Sequence, residues 1–250
     1  MELERLLHFL DDFLEIPDHP DFDGAMNGLQ VQGPDHLEHL AVAVDVSEAT
    51  VEGAVDSGAD LLLVHHGLFW GGLGRVTGRL YRKLSNLIRN DVGLYSVHLP
   101  LDAHAEVGNA AVLARELGVE VDEPFGRFRD TPVGWSGILR EDRRELLGRM
   151  EACLGRSVHL IPGGAEHLER VAVVTGSGGS FIQEAADGGL DALITGEGKH
   201  HDYVEATELG INVFYGGHYA TETWGVRALA RRLEETFSLS WTFIDDPSGL

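Results

Sequence analysis

LEHLAVAVDVSEATVEGAVDSGADLLLVHHGLFW, residues 37–70, decides the fold class. The apolar runs 40–46 and 61–64 are short and rich in Val, Ala and Leu, the pattern of strands buried on both faces, and the stretch 48–57 between them reads as a helix. A further apolar run at 93–97 and helical patterns near 78–90 and 106–117 continue the alternation, which is the logic of an α/β protein. Upstream, Leu3, Leu6, Leu7, Leu10, Phe13 and Leu14 recur at helical spacing and Pro17 closes the segment, so an amphipathic helix opens the chain.

The same stretch has a counterpart downstream. LERVAVVTGSGGSFIQEAADGGLDALITGE, residues 168–197, aligns with it without a gap when Leu37 is laid on Leu168, an offset of 131. Glu38 then meets Glu169, Ala41 meets Ala172, Val42 meets Val173 and Ala54 meets Ala185. Asp56, Gly58, Asp60 and Leu62 meet Asp187, Gly189, Asp191 and Leu193. Each copy reads strand, helix, strand, so the expected architecture is two related α/β domains from an internal duplication. The central stretch lacks a counterpart in this register and reads as an insertion. The expected division is 1–125, a first α/β domain; 126–165, an inserted subdomain with a helix near 141–153; and 166–250, a second α/β domain completing the site.

Composition narrows the chemistry. Cys153 is the only cysteine, which excludes an intrachain disulfide framework and any multi-cysteine zinc site. The net charge is −22, with 41 Asp+Glu against 19 Lys+Arg, and only Lys83 and Lys199 are lysines. A polyanion needs a basic footprint that this balance does not supply, so nucleic acid is not an expected partner. An acidic, lysine-poor chain of ordinary apolar content reads as halophilic, adapted to a salty cytosol that screens self-repulsion. No apolar run approaches the roughly 18 residues of a membrane span, and the acidic N-terminus is unlike a secretory signal. The expected location is cytoplasmic.

Open α/β sheets bind ligands where strands end, so polar residues immediately after apolar runs are the candidates. Four such ends stand out: His65 and His66; His98, Asp102 and His104; His218 and Glu222, an i, i+4 pair if a helix starts after Gly217; and Glu197, His200 and His201. Adjacent His65 and His66 on an alternating strand do not readily share one ion, so two ions, or one ligand and one supporting group, are expected. Imidazole and carboxylate without thiolate suit Zn, Mn, Fe, Ni or Co. GSGGS, 176–180, follows a strand and precedes a helix, but without a Walker lysine it reads as a glycine-rich turn rather than a phosphate cradle.

NGLQVQG (27–33), VHHGLFWGG (64–72), HLPLDAHAEVGN (98–109), VTGSGGSFIQEAADGGLDALITGE (174–197), GGHYATE (216–222) and TFIDDP (242–247) occur in order along nearly the whole chain. In these motifs the sequence resembles the GTP cyclohydrolase 1 type 2 homologues, a family of dinuclear-metal-centre proteins. The resemblance implies two divalent ions held by His65, His66, Asp102, His218 and Glu222, a ring-shaped homohexamer, and a small-molecule, nucleotide-type substrate. It implies a metal-dependent hydrolase in which water attacks a purine nucleotide ring. His98 and Glu222 are the catalytic candidates, with Glu197 and His201 as further groups for proton transfer, and His98 reads equally as a residue orienting a ligand. Competing readings are a metal-dependent phosphoesterase or amidohydrolase and a non-catalytic metal-binding ring scaffold.

Overall fold

The computed structural model describes residues 1–72 and 74–250. The first stretch of chain forms α1 (Leu3–Phe13), β1 (Gly28–Val31), β2 (His39–Asp45), α2 (Glu48–Asp56), β3 (Leu61–His66), α3 (Gly78–Arg89), β4 (Gly93–Ser96) and α4 (Leu99–Ala103). There follow α5 (Asn109–Glu116), β5 (Glu120–Phe128), β6 (Thr131–Asp142), α6 (Arg143–Leu154), β7 (His159–Pro162) and β8 (His167–Val174). The chain closes with α7 (Ile182–Asp187), β9 (Ala192–Thr195), α8 (Asp202–Leu209), β10 (Asn212–Tyr215), α9 (His218–Phe237) and β11 (Ser240–Phe243). This is the expected α/β class.

Two compact units result: Met1–Leu101 with Val226–Asp246, and Asp102–Gly225 with Pro247–Leu250. The first holds a five-stranded sheet ordered β1-β4-β3-β2-β11 and the second a six-stranded sheet ordered β5-β6-β8-β9-β10-β7. These limits differ from 1–125, 126–165 and 166–250. The stretch 126–165 supplies β6, α6 and β7, and both strands are hydrogen-bonded into the second sheet, where β6 pairs with β8 and β7 with β10. The chain after Gly225 instead returns to the first unit, where β11 lies parallel to β2.

The offset of 131 reappears as register. Leu40 faces Leu61 and Val42 faces Leu63 in the first sheet; Val171 faces Ala192 and Val173 faces Ile194 in the second. Each sheet also carries an antiparallel strand on its last parallel strand, with Gly28 opposite Ser96 and His159 opposite Tyr215; Gly28 and His159 keep the offset, whereas Ser96 and Tyr215 are 119 apart. Asp60 Oδ2 accepts from the Glu38 and His39 amides at 2.6 and 2.9 Å, and Asp191 Oδ2 accepts from the Glu169 and Arg170 amides at 2.8 and 3.0 Å. Each of these carboxylates closes the turn that feeds a parallel pair.

Local chemistry explains the helix limits. The Ser47 hydroxyl accepts from the Thr50 amide while Thr50 Oγ1 accepts from the Ser47 amide, a reciprocal cap that starts α2. Asp142 caps α6, and Gly155 in a left-handed conformation ends it. The helix expected from 106 begins at Asn109, because His104 Nδ1 accepts the Glu106 and Val107 amides and holds a turn there. In the first unit Ala41, Ala43, Val51, Ala54, Leu62, Val64, Leu87 and Leu94 form a buried cluster; in the second Leu113, Leu146, Met150, Val171, Val173, Ile194 and Phe214 do so. Full burial of side chains of this kind stabilises by roughly 1.5–3 kcal/mol each. These cores fix the strands whose ends carry the polar residues. Among the described residues no helix is long and apolar enough to cross a membrane.

Candidate metal centre

In the first unit β3 ends at His65 and His66, and the chain turns at Gly67. A β-carbon on Gly67 would collide with the Gln30 amide and lie 2.7 Å from Ser96 Oγ, so glycine is required for the turn to pass. Gln30 secures that turn: its Oε1 accepts the Leu68 amide at 2.7 Å, while its Nε2 donates to the Ala25 and Met26 carbonyls. His65 and His66 follow one another at the end of β3. Their ring centroids lie 4.7 Å apart, and each ring has its own acceptor. His65 Nδ1 donates to the Val97 carbonyl at 3.0 Å, and His66 Nδ1 donates to Asp45 Oδ1 at 2.8 Å. Asp45 stands opposite His66 in the register of the parallel pair.

His98 joins them, its ring centroid 4.9 Å from that of His65 and 5.5 Å from that of His66. His65, His66 and His98 each offer a ring nitrogen, and the three nitrogens lie within 4.8 Å of one another, a group that can hold a metal ion. Behind His98 stands a small network. Asp21 Oδ1 accepts from His98 Nδ1 at 2.8 Å, and Asp21 Oδ2 accepts from the Leu99 amide and from Asn27 Nδ2, each at 2.9 Å. Asn27 Oδ1 accepts the His98 amide at 2.9 Å. Burial alone would raise the Asp21 carboxyl, but its bond to His98, the attraction of that ring, and the Asn27 and Phe22 hydrogen bonds together hold it below its ordinary value.

In the second unit Asp102, His218 and Glu222 come together. Asp102 and Glu222, both buried, offer carboxylate oxygens within 4.8 Å of each other. His218 Nε2 lies 3.2 Å from Glu222 Oε2, one turn along α9, and His218 Nδ1 lies 3.0 Å from Glu197 Oε1. Asp102 Oδ1 accepts from Asn109 Nδ2 at 2.8 Å and from Thr175 Oγ1 at 3.2 Å; Asn109 Oδ1 in turn accepts the Gly225 amide at 2.6 Å. Held between two carboxylates, the His218 imidazole is pushed up to about 9, chiefly by its bond to Glu222, with desolvation opposing and Glu197 assisting.

Glycines shape this set as well. Gly176 has φ +63°, and a β-carbon there would collide with Glu222 Oε1 and lie 3.3 Å from His218 Nε2. The GSGGS turn therefore makes room for the carboxylate. Two of its amides are committed internally, Gly176 N to Thr221 Oγ1 and Gly178 N to Thr195 Oγ1.

Other candidates lie elsewhere. His201 precedes α8 and is largely exposed, with Nε2 3.4 Å from Asp202 Oδ1, and His104 serves its local turn. Asp21, Asn27, Asp45, Asn109 and Thr175 were not among the candidates. Asp45 and Thr175 do follow apolar strand runs, the signal that marked the histidines, and Asn109 lies within one of the quoted motifs. Asp21 sits in an irregular loop, where no periodicity marks it.

Residues 1–248 match the family model described as Duf34/NIF3 (NGG1p interacting factor 3). A "GTP cyclohydrolase 1 type 2 homolog" of Deinococcus radiodurans is 43% identical over 249 residues, 99% of this chain and 94% of that protein. A solved structure titled "protein ybgI, unknown function" superposes with TM-score 0.93 at 38% identity, covering 100% of both chains. TTHA1606 from Thermus thermophilus does so with TM-score 0.89 at 40% identity, again covering 100% of both.

Proposed function

The chain belongs to the Duf34/NIF3 family, and from that premise we propose that it is a dinuclear metal protein acting as a metal-dependent hydrolase on a nucleotide-type small molecule. The proposed ligands are His65 and His66 of the first unit and Asp102, His218 and Glu222 of the second. The observation that carries the reading is that each unit gathers its own buried or half-buried donors at strand or helix ends and braces them from behind. Imidazole and carboxylate without thiolate fit a divalent ion of the Zn, Mn, Fe, Ni or Co type.

Held by these residues, two such ions would supply Lewis-acid chemistry and lower the pKa of water near neutral pH. The chain's own residues do the rest. Asn109 and Thr175 fix Asp102 Oδ1, Glu197 holds the His218 ring, and the space at Gly176 admits the Glu222 carboxylate. Buried Glu222, already hydrogen-bonded to His218, is assigned to hold and return a proton at a carboxylate oxygen during attack on a purine ring. The same reading gives a cytoplasmic homohexamer.

The test is elemental analysis of the purified protein, followed by GTP turnover with formate detection. His65→Ala and Asp102→Ala are each expected to lower bound metal, and Glu222→Gln to abolish turnover. Full metal occupancy in both alanine variants would remove the ligand assignment. Metal binding without formate release would leave a binding protein rather than a cyclohydrolase.

A further inference from the structure

The stretch GEGKHH, 196–201, connects β9 to α8, and its Glu197 braces His218 of the proposed centre. Lys199 and His200 line a different place, a cavity of about 510 Å³ in the second unit whose other walls include His159, Ile161, Tyr203 and Tyr215. An adjoining cavity of about 590 Å³ shares His159 and Tyr215 with it and reaches Glu197. We propose that this cleft binds a phosphorylated heteroaromatic small molecule of the nucleoside monophosphate class, with Lys199, His159 and His200 holding the phosphate and Tyr203 and Tyr215 flanking the ring. The site goes beyond the proposed hydrolysis, since it lies on the Glu197 side of the His218 ring, away from Glu222, and uses none of the five proposed metal ligands.

Local structure fixes its walls. His159 and Tyr215 are cross-strand partners of the β7–β10 pair, and their rings lie parallel within 4°, with centroids 6.2 Å apart. The Tyr215 hydroxyl donates to Asp202 Oδ2 at 2.9 Å, and the Lys199 amide donates to the same oxygen at 2.7 Å. One buried carboxylate therefore sets both the tyrosine ring and the backbone that carries the lysine. Gly198 lets them meet, because a β-carbon there would collide with Asp202 Oδ2 and the Tyr215 hydroxyl.

Charge selects an anion. The two carboxylates at the cleft are already engaged, Asp202 with Tyr215 and the Lys199 amide, and Glu197 with His218. Among the described residues the Lys199 ammonium has no ion pair, in a chain where 41 Asp+Glu face 19 Lys+Arg. The other lysine, Lys83, is held by the Val46 carbonyl. A cation left without a carboxylate favours a ligand that brings its own negative charge, and phosphate oxygens accept from ammonium and imidazole N–H groups alike. The aromatic walls select a flat partner. Tyr203, 57% exposed in the first turn of α8, and the Tyr215–His159 pair offer ring faces on which a base can stack.

The test is isothermal titration calorimetry of the full chain with guanosine monophosphate, guanosine and inorganic phosphate, each with metal bound and in chelator. Guanosine monophosphate is expected to bind in both states, more tightly than either fragment, and less tightly as KCl rises. Tyr203→Ala is expected to weaken it about 5- to 150-fold, the loss of one stacked base. Lys199→Ala is expected to weaken it at least about fivefold and to make the dependence on KCl shallower. Both side chains are exposed, so unchanged denaturation midpoints in the variants are expected and certify the fold. Inorganic phosphate binding as tightly as guanosine monophosphate would overturn the site, as would wild-type affinity in both variants. Binding that vanishes in chelator and ignores both substitutions would place the nucleotide on the ions and count against the cleft. The readout needs no turnover, so a lack of formate release bears on the hydrolase reading alone.

Discussion

At the scale of single residues, His218 is held between two carboxylates. Both of its ring nitrogens face carboxylates, Nδ1 toward Glu197 and Nε2 toward Glu222, so both donate and the metal-free imidazole is a cation. Its pKa is raised from 6.5 to about 9. A histidine raised on folding stabilises the folded state fully below its unfolded value and loses that contribution as pH climbs through its folded value. In chelator, the stability difference between wild type and His218→Gln is therefore expected to be largest below pH 6.5 and to fade as pH passes about 9. Denaturant midpoints measured from pH 6 to 10 check it, and a difference that does not change with pH would exclude the paired cation. Gly176→Ala should disturb the same spot, since its β-carbon falls on Glu222 Oε1 at a backbone φ of +63°. The expected result is a loss of more than about 1 kcal/mol in stability, with weaker metal uptake in an equilibrium titration. Unchanged uptake would mean that Glu222 can move aside without consequence. The proposed ligands His65, His66, Asp102, His218 and Glu222 stand out in the sequence as polar residues near the ends of apolar runs. Asp21 does not stand out, since a loop residue that acts by hydrogen-bonding a partner 77 positions away leaves no local pattern.

At the scale of elements, the repeated register carries its own energetics. Asp60 and Asp191 occupy matching positions, and each takes two backbone amides at the start of a parallel strand pair. Removing either carboxylate strands two donors, so Asp60→Ala and Asp191→Ala are each expected to cost about 1–3 kcal/mol in chemical denaturation. A large cost at one site and none at the other would show that the shared geometry does not carry shared stability. The parallel strands were readable because burial on both faces makes them continuous Val, Ala and Leu runs. The edges were harder. β1 and β11 have four residues each, mostly half-buried, and β5 is largely exposed, so their sequences lack the apolar signal that marked β2 and β3. The same weakness made 126–165 look like an insertion: β6 is a long antiparallel strand whose buried positions include Gly134, Ser136 and Gly137 rather than a run of large apolar side chains. Gly134 and Gly137 sit against the backbones of neighbouring strands, where a β-carbon would not fit, so the feature that joins β6 to its sheet is the one that hid it.

At the scale of the whole chain, charge is the dominant fact. The net charge is −22, and several of the 19 Lys and Arg side chains are held by neighbours. Arg82 pairs with Glu48, Arg149 with Glu141 and Arg170 with Asp122, while Lys83, one of the two lysines, donates to the Val46 carbonyl at 2.8 Å. The remaining carboxylates repel one another, and folding brings them closer than they are in the open chain. Salt relieves this selectively. At 1 M the screening length is about 3 Å, so repulsion between separated surface carboxylates is suppressed while the close pairs around His98 and His218 largely survive. The unfolding temperature is therefore expected to rise steadily from low to molar KCl, and to do so in metal-free protein as well, since the effect belongs to the surface rather than to the ligands. Measuring both forms across the series separates the two contributions. A midpoint indifferent to KCl would remove the high-salt reading of this composition. A rise confined to the metal-loaded protein would move the cause from the surface to the donor sets.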